Sequence, residues 1–150
     1  MAATLETTEA VDSELIPDAR NAGEVLCRSA KFTAPAEIGI NSVIEMVPVC
    51  DGMMVLDVQL FWTALGSGVL IDVGDSDIDR YYDGVDAAAA GAADLANEGD
   101  LATCYGHVYT ADDTIDVKIL VAVMPKDAIL VMHVFYKMLD AIADEESMFG

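Results

Sequence analysis

The stretch "MMVLDVQLFW", residues 53–62, decides how this chain folds. Met54, Leu56, Val58, Leu60 and Trp62 fall at every second position, with Asp57 and Gln59 pointing the other way. A strand sends successive side chains to opposite faces, so this alternation predicts a half-buried antiparallel strand with those five residues inward.

The same period recurs on both sides. Upstream, "VLCRSAKF" (25–32) and "SVIEMVPV" (42–49) read as strands, the second ended by the turn Cys50-Asp51-Gly52. Downstream, "GSG" (66–68) turns the chain into "VLIDV" (69–73), with Val69, Ile71 and Val73 inward. "TCYGHVYT" (103–110) reads as a further strand, closed by Ala111-Asp112-Asp113. "TIDVKILVAV" (114–123) puts Ile115, Val117, Ile119, Val121 and Val123 on one face. Pro125-Lys126-Asp127 then turns into "AILVMHVFYKM" (128–138).

One segment breaks the pattern. In "DAAAAGAADLANEGD" (86–100), residues 87–96 suit a short helix, because alanine is the best helix former, weakened by Gly91; a crossover lying over one sheet is the other reading. Seven or eight short strands with one such excursion predict an all-β fold, an antiparallel β-sandwich of jelly-roll-like type.

A length of 150 residues predicts one domain. Residues 1–24 carry six acids and Arg20, with sparse apolar residues, and read as an extended acidic N-terminal arm. The sandwich is expected over 25–138, and 139–150 as an acidic C-terminal tail.

The last strand is apolar on both faces. Val131, His133 and Phe135 share one; Met132, Val134 and Tyr136 share the other. An antiparallel sheet needs a cover for each apolar face, so these six residues are the interface candidates, and a homo-oligomer is expected.

Composition narrows function. The hydrophobic fraction is 54% and the mean hydropathy +0.39, yet 27 acids against 7 bases give a net charge of -20. Such a surface repels phosphate, which argues against nucleic acid and anionic membranes as partners and favours a basic protein surface. No apolar run approaches 18 residues, and "MAATLETTEAVDSEL" has neither the basic nor the apolar region of a signal peptide. Cys27, Cys50 and Cys104 are odd in number and lack CxxC spacing, which reads as free thiols made in a reducing cytoplasm.

No catalytic signature surfaces. GxSxG, Walker, GxGxxG and HExxH motifs are all missing, and no cofactor is expected. Cys104 and His107, three apart on an expected strand, face opposite sides, and His133 sits among Val, Phe and Met.

"IDVGDSDIDRYYDGVD" (71–86) holds six aspartates. Counted from Asp75 as a calcium loop, Asp75, Asp77 and Asp79 take positions 1, 3 and 5, Asp83 position 9 and Asp86 position 12. Position 6, however, needs glycine for its sharp turn and is Arg80; position 12 is Asp rather than the bidentate Glu. The favoured reading is a polar turn in which Arg80 neutralises neighbouring carboxylates and Tyr81 packs its ring, with no metal.

The order of these elements resembles small virion structural proteins of tailed bacteriophages. The residues that carry the resemblance are Pro48, Gly52, Val55, Asp57, Ala64, Leu65, Gly66, Gly68, Val73, Gly74, Asp75, Asp79, Arg80 and Tyr81, then "GHVYTADDTIDVKILVAV". It spans about residues 42–123. The resemblance implies a non-enzymatic capsid decoration or cement protein, made in the host cytoplasm and resident in the virion. Its partner would be the major capsid protein, and a trimer would be its own assembly. A receptor- or carbohydrate-binding sandwich of a fibre or tail, or a tail or neck adaptor, is the alternative that the same pattern allows.

Overall fold

The computed structural model describes residues 4–6 and 24–139. The expected tail from 140 onward, and all but residues 4–6 and 24 of the expected arm, lie outside the described residues.

Among the described residues, strands take 52% and helix 7%. In chain order they are β1 (Thr4–Glu6), β2 (Leu26–Thr33), β3 (Val43–Val49), β4 (Met53–Trp62), β5 (Leu70–Gly74), β6 (Tyr82–Asp86) and β7 (Gly91–Ala93). Two short helices follow, α1 (Leu95–Glu98) and α2 (Leu101–Cys104), and then β8 (Asp113–Leu120) and β9 (Ile129–Met138). They form two sheets, ordered β1-β3-β8-β5-β6 and β2-β9-β4-β7. All described pairings are antiparallel except β1 on β3, so the chain is an all-β sandwich as the alternation predicts.

The inward rows of the two sheets make the core. Ile44, Val117 and Val73 align across one sheet; Val58 and Val134 align in the other; all are fully buried. Tyr82 ties the layers together by donating its hydroxyl to the Val58 carbonyl.

Four expectations need correction. In β4 the inward residues are Met53, Val55, Val58, Leu60 and Trp62; Met54 and Leu56 are only half-buried. A bulge between Val55 and Asp57 inserts Leu56 and reverses the alternation at that point. In β8 the inward row stops at Ile119. Val121 adopts φ 71 and ends the strand, so Val121 and Val123 are exposed rather than inward.

The expected strand over 103–110 does not form. Asp100 caps α2 instead, accepting from the Ala102 N–H at 3.1 Å, and residues 106–109 follow the start of β4 through backbone hydrogen bonds around a single bridge, Val108 to Met54. Nor is the alanine run a helix. Trp62 donates to the Ala89 carbonyl at 2.9 Å, and a Cβ on Gly91 would lie 2.9 Å from the Trp62 ring. That contact holds the segment extended as β7 along β4, overriding alanine's helical preference. The short helix begins only after it, where Asp94 caps α1 by accepting from the Asn97 N–H at 2.9 Å.

Candidate functional site: the aspartate loop and the two outward faces

The loop between β5 and β6 is built on Gly74. A Cβ there would stand 2.1 Å from the Asp77 carbonyl oxygen, so only glycine lets the loop fold back this tightly. Asp75 follows and turns inward. Its carboxylate accepts from Arg80 Nε at 3.0 and 2.8 Å, from the Asp77 N–H at 2.9 Å and from the Tyr109 hydroxyl at 2.8 Å. Tyr109 in turn lies 2.8 Å from the Tyr81 hydroxyl, and both rings are buried. His107 completes the group, its ring edge-on to Tyr109 and its Nδ1 3.4 Å from an Arg80 terminal nitrogen.

The electrostatics follow from this arrangement. Burial opposes ionisation of Asp75, but the bonds from Arg80, Asp77 N–H and Tyr109 outweigh it and hold the carboxyl below its usual range. Burial, reinforced by the Arg80 charge, lowers the His107 pKa. Burial raises both tyrosines, so they stay protonated and act as hydrogen-bond carriers, not as bases.

The five calcium candidates do not converge on one point. Asp75 is buried and engaged by Arg80, whereas Asp77, Asp79, Asp83 and Asp86 are exposed. Asp86 accepts from the Ala88 N–H at 2.9 Å, a local turn bond. Among the described residues no group of three or more His, Cys, Asp or Glu side chains is placed to hold a metal ion. Arg80 does bridge an aspartate and Tyr81 does pack inward, as the polar-turn reading expects. The sequence reading missed Tyr109, whose signal was visible only as one aromatic in a supposed strand.

The outward faces of the two sheets differ in charge. On the β3-β8-β5-β6 side, Glu45 aligns with Asp116, and Lys118 with Asp72, while Asp86 stands opposite Leu70. Burial, with the neighbouring Glu45 and Asp113 charges, pushes Asp116 up to about 7, against the lowering hydrogen bond from Thr114 at 2.6 Å. Burial also raises Asp72, opposed by the Gly84 N–H at 2.7 Å.

The β2-β9-β4-β7 side is different. Its rows read Cys27–Phe135–Asp57, Ser29–His133–Gln59 and Lys31–Val131–Phe61–Ala92. His133 Nδ1 lies 2.6 Å from Ser29 Oγ, and Phe61 meets the His133 ring edge-on at 5.7 Å. Of the six interface candidates, Met132, Val134 and Tyr136 are buried in the chain's own core. Val131, His133 and Phe135 look outward and are half-buried.

The fold is similar to that of chains in phage particles. A chain of the "Capsid of Ralstonia phage GP4" superposes with a TM-score of 0.71 at 15% identity, over 90% of this chain and 97% of that one. A chain of the "Cyanophage Pam1 capsid asymmetric unit" gives 0.57 at 18% identity, over 77% of this chain and 84% of that one. No family model matches the chain, and no curated protein matches it.

Proposed function

We propose that this protein is a non-enzymatic structural protein of a tailed-phage virion that decorates the capsid and cements its subunits. The observation that carries this reading is the fold match at TM-score 0.71, which takes in 97% of a chain from a phage capsid. The strand and turn pattern over residues 42–123 points the same way from sequence.

The mechanism is linkage. A protein that binds the assembled lattice but not its separated subunits stabilises the lattice, and many copies multiply a modest free energy per site. The partner is the major capsid protein, presenting a basic surface to the acidic β3-β8-β5-β6 face. The ion pair of the buried Asp75 with the half-buried Arg80 serves this role by stiffening the β5–β6 loop at one end of that sheet.

The test uses particles that lack this chain, with purified protein added back. Dye-reported genome release on heating should shift to higher temperature with added protein, and the protein should co-sediment with the particles. Free protein that neither co-sediments nor moves the release temperature overturns the reading.

A further inference from the structure

We propose that two copies of this chain pack against each other through the outward face of the β2-β9-β4-β7 sheet. Three observations carry the assignment.

The first is charge. The chain has 27 acids and 7 bases, so two copies repel along most directions of approach. On the outward rows of this sheet, however, Lys31 and Lys137 stand against the single acid Asp57. Among the described residues, the outward rows of this sheet carry these two lysines and one aspartate, with Asp94 at the end of β7 beside Gln59 and Phe61. Two copies meeting through these rows bring more lysine than aspartate together, which eases the repulsion set by the net charge, and lysine of one copy can meet the aspartate of the other.

The second is apolarity. Val131, His133 and Phe135 run down the central strand, half-buried, and Phe61 beside them is 43% exposed. No described element lies over this column, while the opposite face of β9 is fully covered by the chain's own core.

The third is size. The strands of this sheet have 8, 10, 10 and 3 residues, and with about 3.3 Å per residue and about 4.8 Å between strands they give a footprint of about 490 Å². A pleated face exposes more accessible area than its footprint, which takes it past the roughly 500 Å² per partner that a specific interface of about 1,000 Å² in total requires. A flat sheet face used by both copies pairs them isologously, as a dimer.

Sedimentation velocity at rising protein concentration, at low and high salt, is the direct test. The mass should go from 15.9 kDa toward twice that value, and more readily at high salt, which screens the net charge. Val131→Asp should hold the protein at the monomer mass, while Val43→Asp, on the outward face of the other sheet, should leave association intact. A second readout needs no variant. Cys27 is exposed on this face, whereas Cys50 and Cys104 are buried. Alkylation of Cys27 should therefore slow several-fold as concentration rises. A monomer mass at every concentration overturns the proposal, whether Cys27 reacts freely or is shielded by another part of its own chain. Association that survives Val131→Asp, or leaves Cys27 labelling unchanged, places the interface elsewhere and also overturns it.

Discussion

Asp75 and Tyr109, 34 residues apart in the chain, meet in the interior with the Tyr109 hydroxyl donating to Asp75 Oδ2 at 2.8 Å. That bond fastens the β5–β6 loop to the segment leading into β8. Together with Arg80 it turns an acid-rich stretch into a fixed corner of the fold. A carboxylate with its side chain only 1% exposed persists there because its charge is matched.

Removing the match should be costly. Arg80→Ala leaves the Asp75 charge buried with only neutral donors, and removal of one partner from a buried pair costs about 3 kcal/mol. The double variant Asp75→Asn with Arg80→Ala should recover part of that loss, since no buried charge is then stranded. Urea denaturation of Arg80→Ala, of Asp75→Asn alone and of the double variant gives the coupling. A single Arg80→Ala loss under about 0.5 kcal/mol would mean that water already screens Asp75.

The loop should not respond to calcium. Arg80 occupies both Asp75 oxygens, and the other four aspartates point to solvent. A ligand that binds only the folded state raises the melting temperature, so with no metal-holding group among the described residues, equal melting with EDTA and with millimolar calcium is expected. A rise on adding calcium that EDTA reverses would show that the exposed aspartates regroup around the ion.

Gly74→Ala should destabilise strongly. The new Cβ would stand 2.1 Å from backbone oxygen, which has no rotamer to yield, so the loop itself must move. Overpacking of this kind costs about 1–3 kcal/mol, whereas Ser67→Ala at an exposed turn should stay within about 0.5 kcal/mol. Thermal melts of the two variants side by side provide the measurement.

Asp116 sets a pH dependence of a particular sign. Its carboxyl is pushed up to about 7 in the folded chain from an ordinary value of 3.8. The folded state therefore keeps a proton that the unfolded state releases between those values. The stability Asp116 contributes is full below the unfolded pKa and is lost as pH rises through about 7. Asp75, held below its usual range, acts oppositely and loses its contribution on acidification. Asp116→Asn should thus melt higher than the natural protein at about pH 8 and converge with it near pH 4. A variant that melts lower at pH 8 would show that the charged form is the better packed one.

Much of this protein was legible in its sequence, because period-two alternation is a local property. The limits of β3 and β9 fall within one residue of the expected strands, and those of β4 coincide with them. The turns at Cys50-Asp51-Gly52, at the GSG stretch and at Pro125-Lys126-Asp127 follow from residues that prefer such backbone. Arg80 as the neutraliser of the aspartate loop was also readable, since it sits where a calcium loop requires glycine. What alternation cannot carry is an inserted residue or a contact made from afar. The bulge at Leu56 reverses half of β4, and only its pairing with β9 reveals it. The alanine run stays extended because Trp62, well before it in the chain, packs on Gly91 and hydrogen-bonds Ala89. Residues 103 and 104 are taken up in the helical turn that Asp100 caps, and 106–109 run beside the start of β4 with one bridge in place of a full strand. Tyr109 joins Asp75 only when β5 and β8 lie side by side. Local preferences set which elements form. Side-chain volume and buried charge, expressed only once the sheets are stacked, decided where those preferences gave way and which residues met.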